Sequence, residues 1–85
     1  MRNAGVPNQD ALCLALCLTR REAEVLYWVA QGKTNAEIGI ILGVSPETVK
    51  KHLAHIFEKL GVETRIAAVA RALTLTSDPE PPGSP

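Results

Sequence analysis

The sequence has little of what builds large or cross-linked sites. Among its 85 residues Phe, Tyr and Trp occur once each, and a chain this short cannot enclose the deep pocket of a large enzyme. Its two cysteines, Cys13 and Cys17, are too few and too close for a disulfide scaffold. They read as reduced cysteines one turn apart on the apolar face of a helix. Only His52 and His55 could join them around zinc, and neither Cys-x2-Cys nor His-x3-His spacing is present, so no metal or cofactor is expected. Nine basic residues balance nine acidic ones, which excludes a strongly basic coat protein and an acidic tail but leaves room for a local basic face. The longest uncharged, mostly apolar run, Ala11 to Thr19, is far short of the ~20 residues that cross a bilayer. It has no basic flank and no Ala-x-Ala site, so neither a membrane span nor a signal peptide is expected. No Ser/His/Asp, Cys/His or paired-carboxylate pattern and no glycine-rich phosphate loop occurs, which speaks against an enzyme and gives no catalytic residue.

What is present is a run of helix signals. Residues 1–10 are polar and broken by Gly5 and Pro7, and read as a flexible leader. Ala11 to Leu18 fits a linker helix that packs on the bundle or on a partner domain, so 1–17 forms a leader and linker. Thr19-x-x-Glu22 is a capping box, and the helix it opens stops at Gly32. Val25, Leu26, Val29 and Ala30 recur along it at helical spacing. Thr34-x-x-Glu37 repeats the box, and the helix Asn35 to Leu42 stops at Gly43. Its expected buried stripe is Ala36, Ile40 and Ile41, with Gly39 marking a close helix–helix approach. Ser45-Pro46 pairs a strong N-cap with a proline at the first helical position, and Val44 and Val49 are spaced as a hydrophobic staple. This third helix, about 46–60, buries Val49, Leu53, Ile56 and Leu60, with Phe57 beside them. Its other face collects Glu47, Lys51, Ala54 and Glu58, flanked by Thr48, Lys50 and His55. A fourth helix follows Thr64. It has one apolar strip of Ala68, Val69 and Ala72 and a second of Ile66, Ala70 and Leu73. Residues 76–85 hold four prolines and read as a disordered tail.

The second and third helices are joined only by Gly43-Val44 and the cap Ser45. Such a short glycine turn is the mark of a helix-turn-helix, here 35–54, whose second helix enters the DNA major groove.

The chain also resembles the LuxR-type DNA-binding domain, also called the GerE or FixJ type. The matching residues are Leu18-Thr19-x-Arg21-Glu22-x-Glu24-Val25-Leu26 and Ala30-x-Gly32-x-Thr34-Asn35-x-Glu37-Ile38. They continue with Leu42-x-x-Ser45-x-x-Thr48-Val49-Lys50-x-His52 and Ile56-x-x-Lys59-Leu60-x-Val62-x-x-Arg65-x-x-Ala68-Val69. The resemblance implies an all-α, four-helix bundle over 18–75 that serves as the effector domain of a bacterial transcription regulator, such as a response regulator. The implied setting is cytoplasmic. The implied partner is double-stranded DNA, bound by a dimer on repeated half-sites, with RNA polymerase a candidate further partner. It makes Lys50, Lys51, Ala54 and His55 the base readers and Thr34, Asn35, Ser45, Thr48 and Lys59 the phosphate contacts. It also suggests that Glu22 pairs with Arg65, that His52 packs at the edge of the core, and that Ile66, Ala70 and Leu73 form a dimer face. Two features depart from the pattern. Gly39 stands where alanine is usual, and eight basic against six acidic residues from Thr19 to Leu75 leave a net of only +2. So weak a footprint predicts low, salt-sensitive non-specific affinity. It also keeps open a second reading, a protein-interaction module that retains the fold without binding DNA.

Overall fold

The computed structural model describes residues 9–76, with side chains as far as Thr74. The expected leader and proline-rich tail lie outside the described residues, except for Gln9, Asp10 and the backbone of Thr76, which are helical. Five helices follow in order: α1 (Gln9–Leu16), α2 (Arg20–Ala30), α3 (Asn35–Leu42), α4 (Pro46–Leu60) and α5 (Arg65–Thr76). No strand occurs among the described residues, so the all-α expectation holds. The four expected bundle helices are α2 to α5, and the linker segment adds α1 as a fifth.

Local chemistry sets both ends of these helices. The Thr19 hydroxyl accepts from the Glu22 amide at 3.1 Å, and the Glu22 carboxylate accepts from the Thr19 amide at 3.0 Å. Thr34 and Glu37 repeat the exchange at 3.1 and 2.8 Å. Ser45 caps α4 through the Thr48 amide at 3.1 Å, and Thr64 caps α5 through the Ala67 amide at 3.0 Å. At the far ends, α1 to α4 all close in one way. The amides of Leu18, Lys33, Val44 and Val62 reach back five residues to the carbonyls of Cys13, Trp28, Gly39 and Phe57 at 2.9–3.2 Å. That closure needs a left-handed residue just past the helix. Gly32, Gly43 and Gly61 supply it after α2, α3 and α4, whereas α1 uses Cys17, at φ +58°. The two cysteines therefore do not share a helical turn as expected. Cys17 lies beyond the helix and is exposed, while the Cys13 thiol donates to the Leu18 carbonyl at 3.0 Å.

Helix α2 packs against all four of the others, and α4 packs against α2, α3 and α5. The core joins Leu12 of α1, Val25, Leu26 and Val29 of α2, Ile38 of α3, Val49, Leu53, Ile56 and Leu60 of α4, and Ala68 and Ala72 of α5. Leu12 is completely buried, so the linker helix packs on this bundle. Two expectations fail here. The buried positions of α3 are Ile38 and Gly39. Ala36 and Ile41 are exposed and Ile40 is 82 % exposed. In an eight-residue helix that is apolar on nearly every side, tertiary packing rather than periodicity chooses the face. Gly39 does permit a close approach, but to the turn rather than to another helix. A Cβ there would lie 2.6 Å from the Val44 carbonyl oxygen.

Glu22 is the buried charged residue of the core. Its carboxylate accepts from Lys59 Nζ at 2.7 Å, tying the start of α2 to the end of α4. Arg65, the partner expected for it, is bonded instead to Asn35 and Lys33. A charge pair between distant helices depends on how the helices cross, which residue types alone do not specify.

Candidate nucleic-acid interface

Helix α4 is divided lengthwise. Val49, Leu53, Ile56 and Leu60 are buried, and Phe57 packs beside them. Glu47, Lys50, Lys51, Ala54, His55 and Glu58 are exposed, and Thr48 and His52 are half-buried along the border. Neither Lys50, Lys51 nor His55 has a hydrogen-bond or ion-pair partner among the described residues. The outward face of α4 thus presents two unengaged ammonium groups, a methyl and an imidazole on a helix locked from behind by its apolar stripe.

The expected phosphate contacts fall into three places. Ser45 and Thr48 lie at the start of α4, their hydroxyl oxygens 3.0 Å apart, beside backbone amides at the positive end of the helix dipole. Thr34 and Asn35 stand at the start of α3. The Asn35 side-chain oxygen accepts from Arg65 Nη1 at 2.8 Å, a bond that residue types and spacing do not specify. The same segment, with Val29, Gly32, Lys33 and Arg65, lines a recess of about 340 Å³. Lys59 stands apart, near the opposite end of α4 and about 20 Å along the axis from Pro46 at 1.5 Å per residue, with its ammonium held by Glu22.

Electrostatics separates scaffold from surface. Burial pushes the Glu22 carboxyl up, but the Lys59 hydrogen bond, the Thr19 amide and the Lys59 charge together outweigh it and hold the group below its usual range. The Thr34 amide, bonded to Glu37, holds that exposed carboxyl low as well. Both carboxylates therefore stay charged and fixed at helix starts. Among the described residues no group of His, Cys, Asp or Glu could hold a metal ion, and no helix is long and apolar enough to cross a membrane.

An all-α bundle in which Gly43, Val44 and Ser45 join two packed helices, the second with its polar face outward, is a helix-turn-helix domain. Residues 16–72 match the family described as bacterial regulatory proteins, luxR family, and the chain belongs to it. It is 55 % identical over 58 residues to the HTH-type quorum sensing-dependent transcriptional regulator RpaR of Rhodopseudomonas palustris, covering 68 % of this chain and 24 % of that protein. It is 50 % identical over 60 residues to the transcriptional activator protein AnoR of Acinetobacter nosocomialis, covering 71 % and 25 %. Against the probable transcriptional regulatory protein NarL of Mycobacterium tuberculosis it is 46 % identical over 70 residues, covering 82 % and 32 %. The chain thus spans a quarter to a third of the length of these relatives.

Proposed function

We propose that this chain binds duplex DNA in a sequence-dependent way and serves as the output domain of a bacterial transcription regulator. The observation that carries the reading is the divided α4. Its apolar stripe is locked into the core while Lys50, Lys51, Ala54 and His55 face outward without side-chain partners among the described residues. In a helix-turn-helix this surface enters the major groove. Lys50 and Lys51 donate to guanine O6 and N7, Ala54 offers its methyl to a thymine methyl, and His55 adds a base-edge contact. Thr34, Asn35, Ser45 and Thr48 bond phosphates and set the register. Lys59, the remaining candidate, would have to leave Glu22 to join them. RpaR, AnoR and NarL are named as transcriptional regulators, which supports the same reading and a cytoplasmic setting beside the chromosome.

A dimer is part of the proposal. Single-domain affinity from a net charge of +2 across the bundle is low, and two tethered half-sites multiply it. Ile66, 81 % exposed, with Ala70 and the half-buried Leu73 supplies an apolar face on α5.

The test is fluorescence anisotropy of a labelled mixed-sequence duplex at two salt concentrations. Wild type should bind, and more weakly at the higher salt. The Lys50→Ala/Lys51→Ala double variant should lose at least about thirtyfold, from two contacts of ~1 kcal/mol or more each, with unchanged helicity. No binding by folded wild type at low salt refutes the reading and favours a protein-interaction module.

A further inference from the structure

Two hydrogen bonds at the start of α5 determine how a residue at the start of α3 faces solvent. Arg65 Nη1 donates to Asn35 Oδ1 at 2.8 Å, and Nη2 donates to the Lys33 carbonyl at 2.7 Å. A guanidinium has donors and no acceptor, so the amide atom turned toward it must be the oxygen. An NH2 group in that place would set donor against donor. The planar amide then directs Nδ2, with two N–H donors, away from Arg65, and no acceptor for them occurs among the described residues. The bond to Lys33 fixes the backbone just ahead of Thr34, so one side chain sets both the path of the loop and the rotation of the amide. Left alone, an asparagine amide has a broad, two-fold torsional profile and would not hold its nitrogen outward before an anion arrives.

We propose that Arg65 is a positioning residue for DNA binding: it holds the Asn35 amide oxygen inward so that Nδ2 donates to a phosphate oxygen. This rests on the reading of the chain as a duplex-binding domain. Arg65 itself is half-buried, with both terminal nitrogens engaged inside the fold. The proposed route to DNA therefore runs through Asn35, and a double-variant cycle separates it from direct contact by Arg65.

The experiment is a double-variant cycle in the same anisotropy assay, with Arg65→Lys, Asn35→Ala and the two combined. Lysine keeps the charge but lacks the planar fork that reaches both acceptors. Arg65→Lys should weaken binding about tenfold, the weight of one hydrogen bond to a charged group. Asn35→Ala should lose a similar factor, and the combination no more than Asn35→Ala alone. In nitrogen-15 spectra of the free protein, the Asn35 side-chain NH2 should be as ordered as the backbone in wild type and mobile in Arg65→Lys. Losses that multiply in the double variant, wild-type affinity in Arg65→Lys, or an Asn35 amide indifferent to that change each overturn the proposal. If wild type binds no duplex although its Asn35 amide is ordered, the DNA-binding reading fails and the proposal falls with it.

Discussion

Four helices end in the same hydrogen-bonded closure, and at one of them the left-handed position is filled by Cys17 rather than glycine. An L-residue in that conformation brings its Cβ against the following carbonyl, at a cost of about 1–2 kcal/mol. Replacing it with glycine removes that strain but gives the unfolded chain more freedom, which costs back about 0.4–1 kcal/mol. Cys17 is exposed, and its side chain makes no hydrogen bond among the described residues, so little else is lost. Cys17→Gly should therefore stabilise the fold by about 0.5–1 kcal/mol. In a domain this small that raises Tm by roughly 2–8 °C. The reverse change supplies the control. A Cβ at Gly32, Gly43 or Gly61 would meet no atom within 4 Å, so Gly32→Ala should cost about 1 kcal/mol through backbone strain alone. Thermal and urea unfolding followed by circular dichroism measures both. A Cys17→Gly protein no more stable than wild type, with Gly32→Ala also neutral, would refute the argument that this closure sets the energetics of the helix ends.

Further outcomes follow from other contacts. Glu22→Gln keeps the shape and the Thr19 bond but makes the Lys59 bond neutral on one side, and should cost about 1–2 kcal/mol at pH 7. The Glu22 carboxyl is held below its ordinary 4.5 in the fold. Its contribution is therefore complete above that value and lost as pH falls through the folded-state value, so the gap between wild type and Glu22→Gln should close under acid. Gly39→Val puts carbon where the Val44 carbonyl approaches to 2.6 Å. The turn must move, and a loss of about 2 kcal/mol or more in urea unfolding is expected. Ala70→Glu should abolish dimers on a two-site duplex in sedimentation velocity, and identical monomers for both proteins would remove α5 as a dimer face.

The helix ends were legible because they are decided locally. Thr19 with Glu22, Thr34 with Glu37, Ser45 with Pro46, and the glycines at 32, 43 and 61 each act within a few residues of themselves. The α4 stripe was legible too, since a fifteen-residue helix with one apolar face leaves a single way to pack. What escaped was the geometry between helices. Helix α3 offers Ala36, Ile38, Ile40 and Ile41 on several sides, and only its packing on α2 and α4 selects Ile38. Gly39, read as the mark of a close helix–helix approach, instead admits the Val44 carbonyl oxygen of the turn. Lys59 and Arg65 are both cations near helix ends, and nothing local indicates that the first belongs to Glu22 and the second to Asn35. The extent of helix α1, Gln9–Leu16, differs from the Ala11–Leu18 segment read as a linker, because its mostly apolar residues mark no boundary.

The last helix fastens what comes before it. Arg65 holds the Lys33 carbonyl, and Arg71 donates to the carbonyl of Leu60 at 2.7 Å, the final residue of α4. Both arginines are made after α3 and α4, since chains grow N-terminus first, so neither tie can form until α5 has been added. Until then the end of α4 has water in place of a guanidinium, and the loop ahead of α3 is untied. The surface proposed to meet DNA is thus completed only when the last helix joins, and a chain cut back before Arg65 would keep the helix-turn-helix sequence without its fastening.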